Sequence, residues 1–167
     1  MKIRNGFVSN SSSSSFVVAF DKEPKNEKEV HKMMFNEEKF HYDYFHWCDG
    51  ETDTNKYDAY KISRTIFKEI EKLGQATQKE MVESVANGLV DYDNLKKYED
   101  KNGKVDWGEV EKEEYRLGRE KVKKFIKDNK DNVFYVFQFS DNDSKFDAVL
   151  EHTHIFKNLE HIQNSLH

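Results

Sequence analysis

The chain has 167 residues, enough for one domain with a real core and short for two. Hydrophobic residues make up 36% and charged residues 35%, so the core must rely on 13 Phe, 8 Tyr and 2 Trp, whose rings bury much area per residue. A net charge of −5 argues against non-specific attraction to nucleic acid or anionic lipid, although local basic patches stay open. Cys48 is the single cysteine, which excludes a disulfide within one chain and fits a reducing cytosol. The apolar run Phe16 to Phe20 is ended by Asp21 and is too short for the core of a signal peptide. No stretch approaches the ~18 apolar residues of a membrane span. The expectation is a soluble, cytoplasmic protein without a membrane partner.

In chain order, Phe16, Val18 and Phe20 alternate with Val17 and Ala19. Both faces are apolar, which predicts a strand inside a sheet rather than at its edge. Pro24 and Asn26 interrupt the chain, and Val30, Met33 and Met34 predict a short helix over 27–35. Residues 39–47 alternate loosely, with Phe40, Tyr42 and Tyr44 on one side, and predict a strand; 48–53 read as loop. Ala59, Ile62, Ile66, Ile70 and Leu73 form one stripe of a helix over 57–73, with Phe67 widening it and Gly74 ending it. Thr77 and Glu80 form a capping box for a helix over 78–87 that turns Met81, Val82, Val85 and Ala86 inward. Asp106 and Glu109 repeat that start signal for the longest helix, 107–128. It should bury Val110, Tyr115, Val122, Phe125 and Ile126 and pair Glu120 with Lys124. Val133 to Phe139 is apolar on both faces and predicts a central strand; a turn at Ser140–Asp143 would lead to a hairpin partner over 145–151. Residues 154–166 predict an irregular turn ending in a short edge element.

The sum is an α+β fold: a flexible arm over 1–14, then a single domain over 15–167. Its mainly antiparallel sheet has strands near 15–20, 39–47, 132–139 and 145–151, covered by helices near 27–35, 57–73, 78–87 and 107–128.

Histidine supplies the one candidate for metal chemistry. His152 and His154 are two apart, hence on one side of a strand; His161 follows, and His41, His46 and Cys48 sit on the aromatic segment. With Glu151 or Asp147 as further ligand or general base, such a set suits zinc or another divalent metal, as in a hydrolase or nuclease. There is no His-Glu-x-x-His and no Cys-x-x-Cys, and surface or hydrogen-bonded histidines are the simpler reading. Asp100 to Glu109 partly follows the order of an EF-hand loop, but the first ligand position is Tyr98, which cannot serve; a turn at Asn102–Gly103 followed by the Asp106 cap accounts for the same residues. The run Ser11 to Ser15 lacks the glycines and lysine of a phosphate loop, and no serine stands in Gly-x-Ser-x-Gly. In the helix 107–128 the acids Glu109 to Glu114 precede the lysines 121–127, which complements the helix dipole.

The least random stretch of the chain is Arg4, then Gly6, Phe7, Val8, Ser9, Asn10, and the serines Ser11, Ser12, Ser13, Ser14 and Ser15 before Phe16. It resembles a segment shared by uncharacterised proteins of bacteriophage and bacterial genomes, where it precedes differing bodies. The resemblance implies a portable N-terminal signal and a place in the cytoplasm of a bacterial host cell or with the virion. Leu150-Glu151-His152, Phe156, Asn158-Leu159 and His161-Ile162 are similar to the C-terminal end of the subset with a related body. There a basic, His-rich ending is expected, whereas this chain ends Gln163-Asn164-Ser165-Leu166-His167.

Two function classes remain. As a non-enzymatic binding protein, the chain would present an aromatic surface around Phe40 to Trp47 to a protein partner, with the segment from Arg4 to Ser15 recognised, cleaved or modified. As a metal-dependent hydrolase or nuclease, it would gather His152, His154 and His161 with Glu151 or Asp147 and His41 or His46 around one ion.

Overall fold

The structure, a computed structural model, describes residues 13–36, 41–43, 56–140, 150–151 and 154–166, with 41–43 and 56–58 described by their backbone. The elements run β1 (Ser13–Phe20), α1 (Glu27–Phe35), β2 (His41–Asp43), β3 (Lys56–Asp58), α2 (Ala59–Leu73), α3 (Gln78–Ala86), a 3₁₀ helix (Tyr92–Tyr98), α4 (Trp107–Asp128), β4 (Val133–Ser140) and β5 (His161–Leu166). The strands β4, β1 and β5 form one antiparallel sheet in that order, and β2 pairs with β3 in a second. The α+β class and the helices expected from the sequence are present.

Strand β1 lies between β4 and β5 and buries side chains on each face. Phe16, Val18 and Phe20 project into a cluster with Tyr135, Phe137 and Phe139 of β4, beneath α1 and α2. Val17 and Ala19 project the other way, into a cluster with Phe134, Val136 and Ile162 beneath α3 and α4. All five residues from Phe16 to Phe20 are buried. At roughly 1.5–3 kcal/mol for a fully buried large apolar side chain, this short strand carries a disproportionate share of the core. On the first face Phe156 stacks on Phe137 at 5.2 Å and tilts against Phe16 at 5.3 Å, while Phe20 meets Tyr135 edge-on at 5.5 Å. Asn158 ties the same turn to α1 by donating from Nδ2 to the Met34 carbonyl at 2.8 Å.

The helix starts follow their caps. The Asn26 side chain accepts from the Glu29 amide at 3.0 Å, and the Thr77–Glu80 capping box is formed in both directions. Asp106 accepts from the amides of Gly108 and Glu109. The Glu109 carboxylate does not reach back to complete a second box; it takes Lys112 at 2.6 Å.

Several expectations are corrected. β4 has apolar residues on both faces, yet among the described residues it pairs only with β1 and is an edge strand, because helices cover both faces of this sheet out to its margin. The hairpin strand expected beside β4 over 145–151 is not among the described strands, and the other neighbour of β1 is β5. Residues 145–149 lie outside the described residues, and Leu150 and Glu151 are helical and both fully buried, which a strand with one wet face does not allow. Of the strand expected over 39–47 only His41–Asp43 is described, paired with Lys56–Asp58, so α2 begins at Ala59 rather than at Tyr57. Ser13 and Ser14 belong to β1 and not to a flexible arm, since both are paired on each side. Glu120 pairs with Arg116 at 2.6 Å and Lys124 with Asp128 at 3.7 Å, one turn away from the expected Glu120–Lys124 pair. Arg116 draws Glu120 because its planar fork also holds Glu113.

In α4 the buried stripe passes through Val110, Gly118, Val122 and Phe125, leaving Tyr115 on its flank, 39% exposed. Gly118 is where α4 meets α3: a Cβ there would stand 3.2 Å from the Ala86 Cα and 3.4 Å from the Val82 carbonyl oxygen. Backbone, not a movable side-chain tip, sets that distance. Gly118→Val is expected to cost about 1–3 kcal/mol through overpacking. Gly118→Ala should cost less, because leaving glycine in a helix interior returns about 1 kcal/mol. Urea unfolding of the two variants checks both; equal stability of wild type and Gly118→Val would contradict the contact.

Candidate functional site

Among the described residues the outer edge of β4 has no strand beside it, and its geometry follows from strand alternation. The Ala19 amide donates to the Glu160 carbonyl beside β5, so the odd-numbered residues of β1 turn their backbone groups toward β5 and the even-numbered ones toward β4. Phe16 and Val18 face Phe137 and Tyr135. The intervening residues of β4, among them Phe134, Val136 and Gln138, therefore direct their N–H and C=O outward.

One of these outward groups is taken. The connector between α2 and α3 crosses from one face of the sheet to the other past this edge, and the Ala76 amide donates to the Phe134 carbonyl at 2.8 Å. Gly74 makes the crossing possible: it ends α2 at φ 70°, a left-handed conformation open to glycine, with its amide on the Ile70 carbonyl. Beyond Ala76 the backbone of Val136 and Gln138 has no strand beside it among the described residues.

Along this open edge runs a groove. It measures about 430 Å³ and lies between Leu73 at the end of α2, Val136 and Gln138 of β4, and Glu80, Glu83 and Ser84 of α3. An adjoining pocket of about 360 Å³ shares Glu83, Ser84 and Gln138 but leaves the outer edge and passes beside α3 to Ser13, Ser14 and Ser15 of the inner strand β1. Leu73, expected in the buried stripe of α2, is 51% exposed here, because α2 overshoots the sheet by its last residue.

The groove is electronegative. Glu69, Glu80 and Glu83 line it against Lys72 alone. Lys72 reaches Glu69 at 3.4 Å, and Lys79, from outside, reaches Glu83 at 3.7 Å. Glu80 accepts from the Thr77 amide at 2.7 Å and the Thr77 hydroxyl at 2.8 Å, and these bonds hold its carboxyl below the usual value. The C-terminal ends of α2, at Leu73, and of α3, at Ala86, add partial negative charge beside the groove and the adjoining pocket.

Among the described serines, Ser13 to Ser15 do not build an anion cradle. Ser14 is 2% exposed and its hydroxyl meets that of Ser165 at 2.9 Å, on the sheet face opposite the groove. Ser13 and Ser15 face the adjoining pocket near the C-terminal end of α3. There the carbonyls of Ser84 and Asn87 accept from the Asn164 side chain at 3.5 and 2.9 Å. That end of a helix repels anions. Arg4, Gly6, Phe7, Ser9, Asn10, Ser11 and Ser12 lie outside the described residues, as does most of the aromatic stretch Phe40 to Trp47.

The proposed metal ligands are divided. The side chains of His41, His46, Cys48, Asp147 and His152 lie outside the described residues. His154 is exposed, Glu151 is fully buried, and His161 places Nδ1 2.9 Å from the Leu159 carbonyl. Among the described residues no three His, Cys, Asp or Glu side chains are placed to share an ion. In the EF-hand-like loop the Asp100 carboxylate accepts from the amides of Asn102 at 2.7 Å and Lys104 at 3.0 Å, with Gly103 at φ 75°; the turn reading accounts for it. No helix among the described residues is long and apolar enough to cross a membrane.

Comparison with protein-family models, with curated proteins and with solved structures finds no match, so the functional reading rests on the chain itself.

The state of Glu80 can be tested by pH. Because its folded-state value lies below the ordinary 4.5, its charge contributes stability that is fully present above pH 4.5 and is lost as pH falls through the lower folded value. The stability difference between wild type and Glu80→Gln should therefore shrink steadily below pH 4.5, measured by urea unfolding across the acid range. A difference that stays constant would show that the capping bond does not depend on the charge.

Proposed function

We propose that the chain is a phage-associated, non-enzymatic protein-binding domain whose N-terminal segment is recognised or processed by a partner. The observation that supports it is the edge of β4 at Val136 and Gln138, set beside a groove and, among the described residues, with no strand paired to its outward backbone donors and acceptors. An edge of this kind is a ready template for another chain, and many recognition domains use one to add an extended segment as a further strand. The pairing of Ser13 to Ser15 on both sides assigns them to the fold, so the reading of the segment as a recognised or processed signal is kept for the residues ahead of Ser13.

Gln138→Pro tests this reading. The Gln138 N–H points outward, so proline removes a donor available to a partner without removing a bond of the sheet, and edge positions of this kind accept proline. Affinity purification of the full chain from its native host should return a stoichiometric partner with wild type and lose it, by about tenfold or more, with Gln138→Pro of unchanged circular dichroism. No stoichiometric partner under gentle salt would overturn the reading.

A further inference from the structure

The chemistry of the groove narrows what can occupy it, granted that the β4 edge binds protein. Backbone pairing with Val136 and Gln138 demands an extended segment, since only a strand presents N–H and C=O groups at the matching spacing. Alternate side chains of such a segment face opposite layers. On one side they meet the last turn of α2, with Leu73 and the Glu69 carboxylate; on the other they meet α3, with Glu83 and Ser84. Leu73 and Val136 offer apolar contact, and the three carboxylates exceed the two lysines paired with them. Two helix C-termini reinforce the same sign. A second copy of this chain would bring its own Glu69, Glu80 and Glu83 to face these, and like charges set opposite one another across an interface oppose docking.

We infer that the β4 edge takes an extended, cationic peptide segment of another protein, which adds as a strand beside Val136 and Gln138 and sets basic side chains against the acidic lining of Glu69, Glu80 and Glu83, whose three carboxylates Lys72 and Lys79 do not fully neutralise. Apolar residues in that segment rest on Leu73 and Val136.

The test uses the full chain and three fluorescein-labelled hexapeptides: Lys-Lys-Val-Val-Lys-Lys, which as a strand shows lysine and valine on both faces, its glutamate counterpart, and the lysine peptide N-methylated at alternate backbone amides. Fluorescence anisotropy at low ionic strength should show the lysine peptide binding about tenfold or more tightly than the glutamate peptide. N-methylation, or Gln138→Pro in the protein, should each weaken it about tenfold or more. Glu69→Gln with Glu83→Gln should weaken the lysine peptide while bringing the glutamate peptide closer to it. If the glutamate peptide binds as well as the lysine peptide and both respond to Gln138→Pro, the cationic assignment is overturned while protein binding at this edge stands. Binding that ignores both N-methylation and Gln138→Pro is adhesion of cations to an acidic surface, and overturns strand addition. No binding by any peptide overturns the inference. So does a concentration-dependent dimer of the unliganded chain that Gln138→Pro abolishes in sedimentation velocity, because the edge then belongs to a second copy.

Discussion

The burial of β1 on both faces is the constraint from which the rest of the architecture follows. A strand reading Phe-Val-Val-Ala-Phe cannot leave either side to water, so helices must cover both, and the chain supplies α1 with α2 on one face and α3 with α4 on the other. Two cores then share one strand, and the link between them has to pass around the sheet. It does so at the margin of β4, where Gly74 turns the chain out of α2 and the Thr77 cap turns it into α3 within three residues.

That short passage also shapes the candidate site. Ala76 closes the edge of β4 at Phe134, and among the described residues no strand lies beside Val136 and Gln138, so the boundary between the two parts of the edge is one hydrogen bond. The helix ends delivered to this margin bring Leu73 and the carboxylates of Glu69, Glu80 and Glu83 with them. An exposed edge is a hazard for aggregation, and charge beside it is a common protection. The acidic flanks thus serve two ends: they discourage pairing between copies and favour a segment of opposite sign.

Much of this was legible before any coordinates. The caps at Asn26, Thr77 and Asp106 mark helix starts because a side-chain oxygen must meet an otherwise unpaired amide, and that need is local. Reading two apolar faces as a central position agrees with the place of β1 between β4 and β5. The same reasoning misplaced β4, since two apolar faces report covering helices and say nothing about lateral neighbours; Gln138, the lone polar residue between Val133 and Phe139, was the available sign of an open end. The serine run looked like an arm because hydroxyls solvate easily, yet pairing with β4 and β5 outweighs that preference for Ser13 to Ser15. Histidine spacing suggested metal; of those residues His161 places Nδ1 on the Leu159 carbonyl two residues away, while the side chains of His41, His46 and His152 lie outside the described residues.

Amide hydrogen exchange followed residue by residue by NMR tests the central claim most directly, because alternation makes opposite demands on neighbours in one strand. In the unliganded chain the amides of Tyr135 and Phe137, paired to β1, should be strongly protected, and those of Val136 and Gln138 should exchange readily. Uniform protection across Tyr135 to Gln138 would mean that the outer edge of β4 is already covered, and would contradict the account.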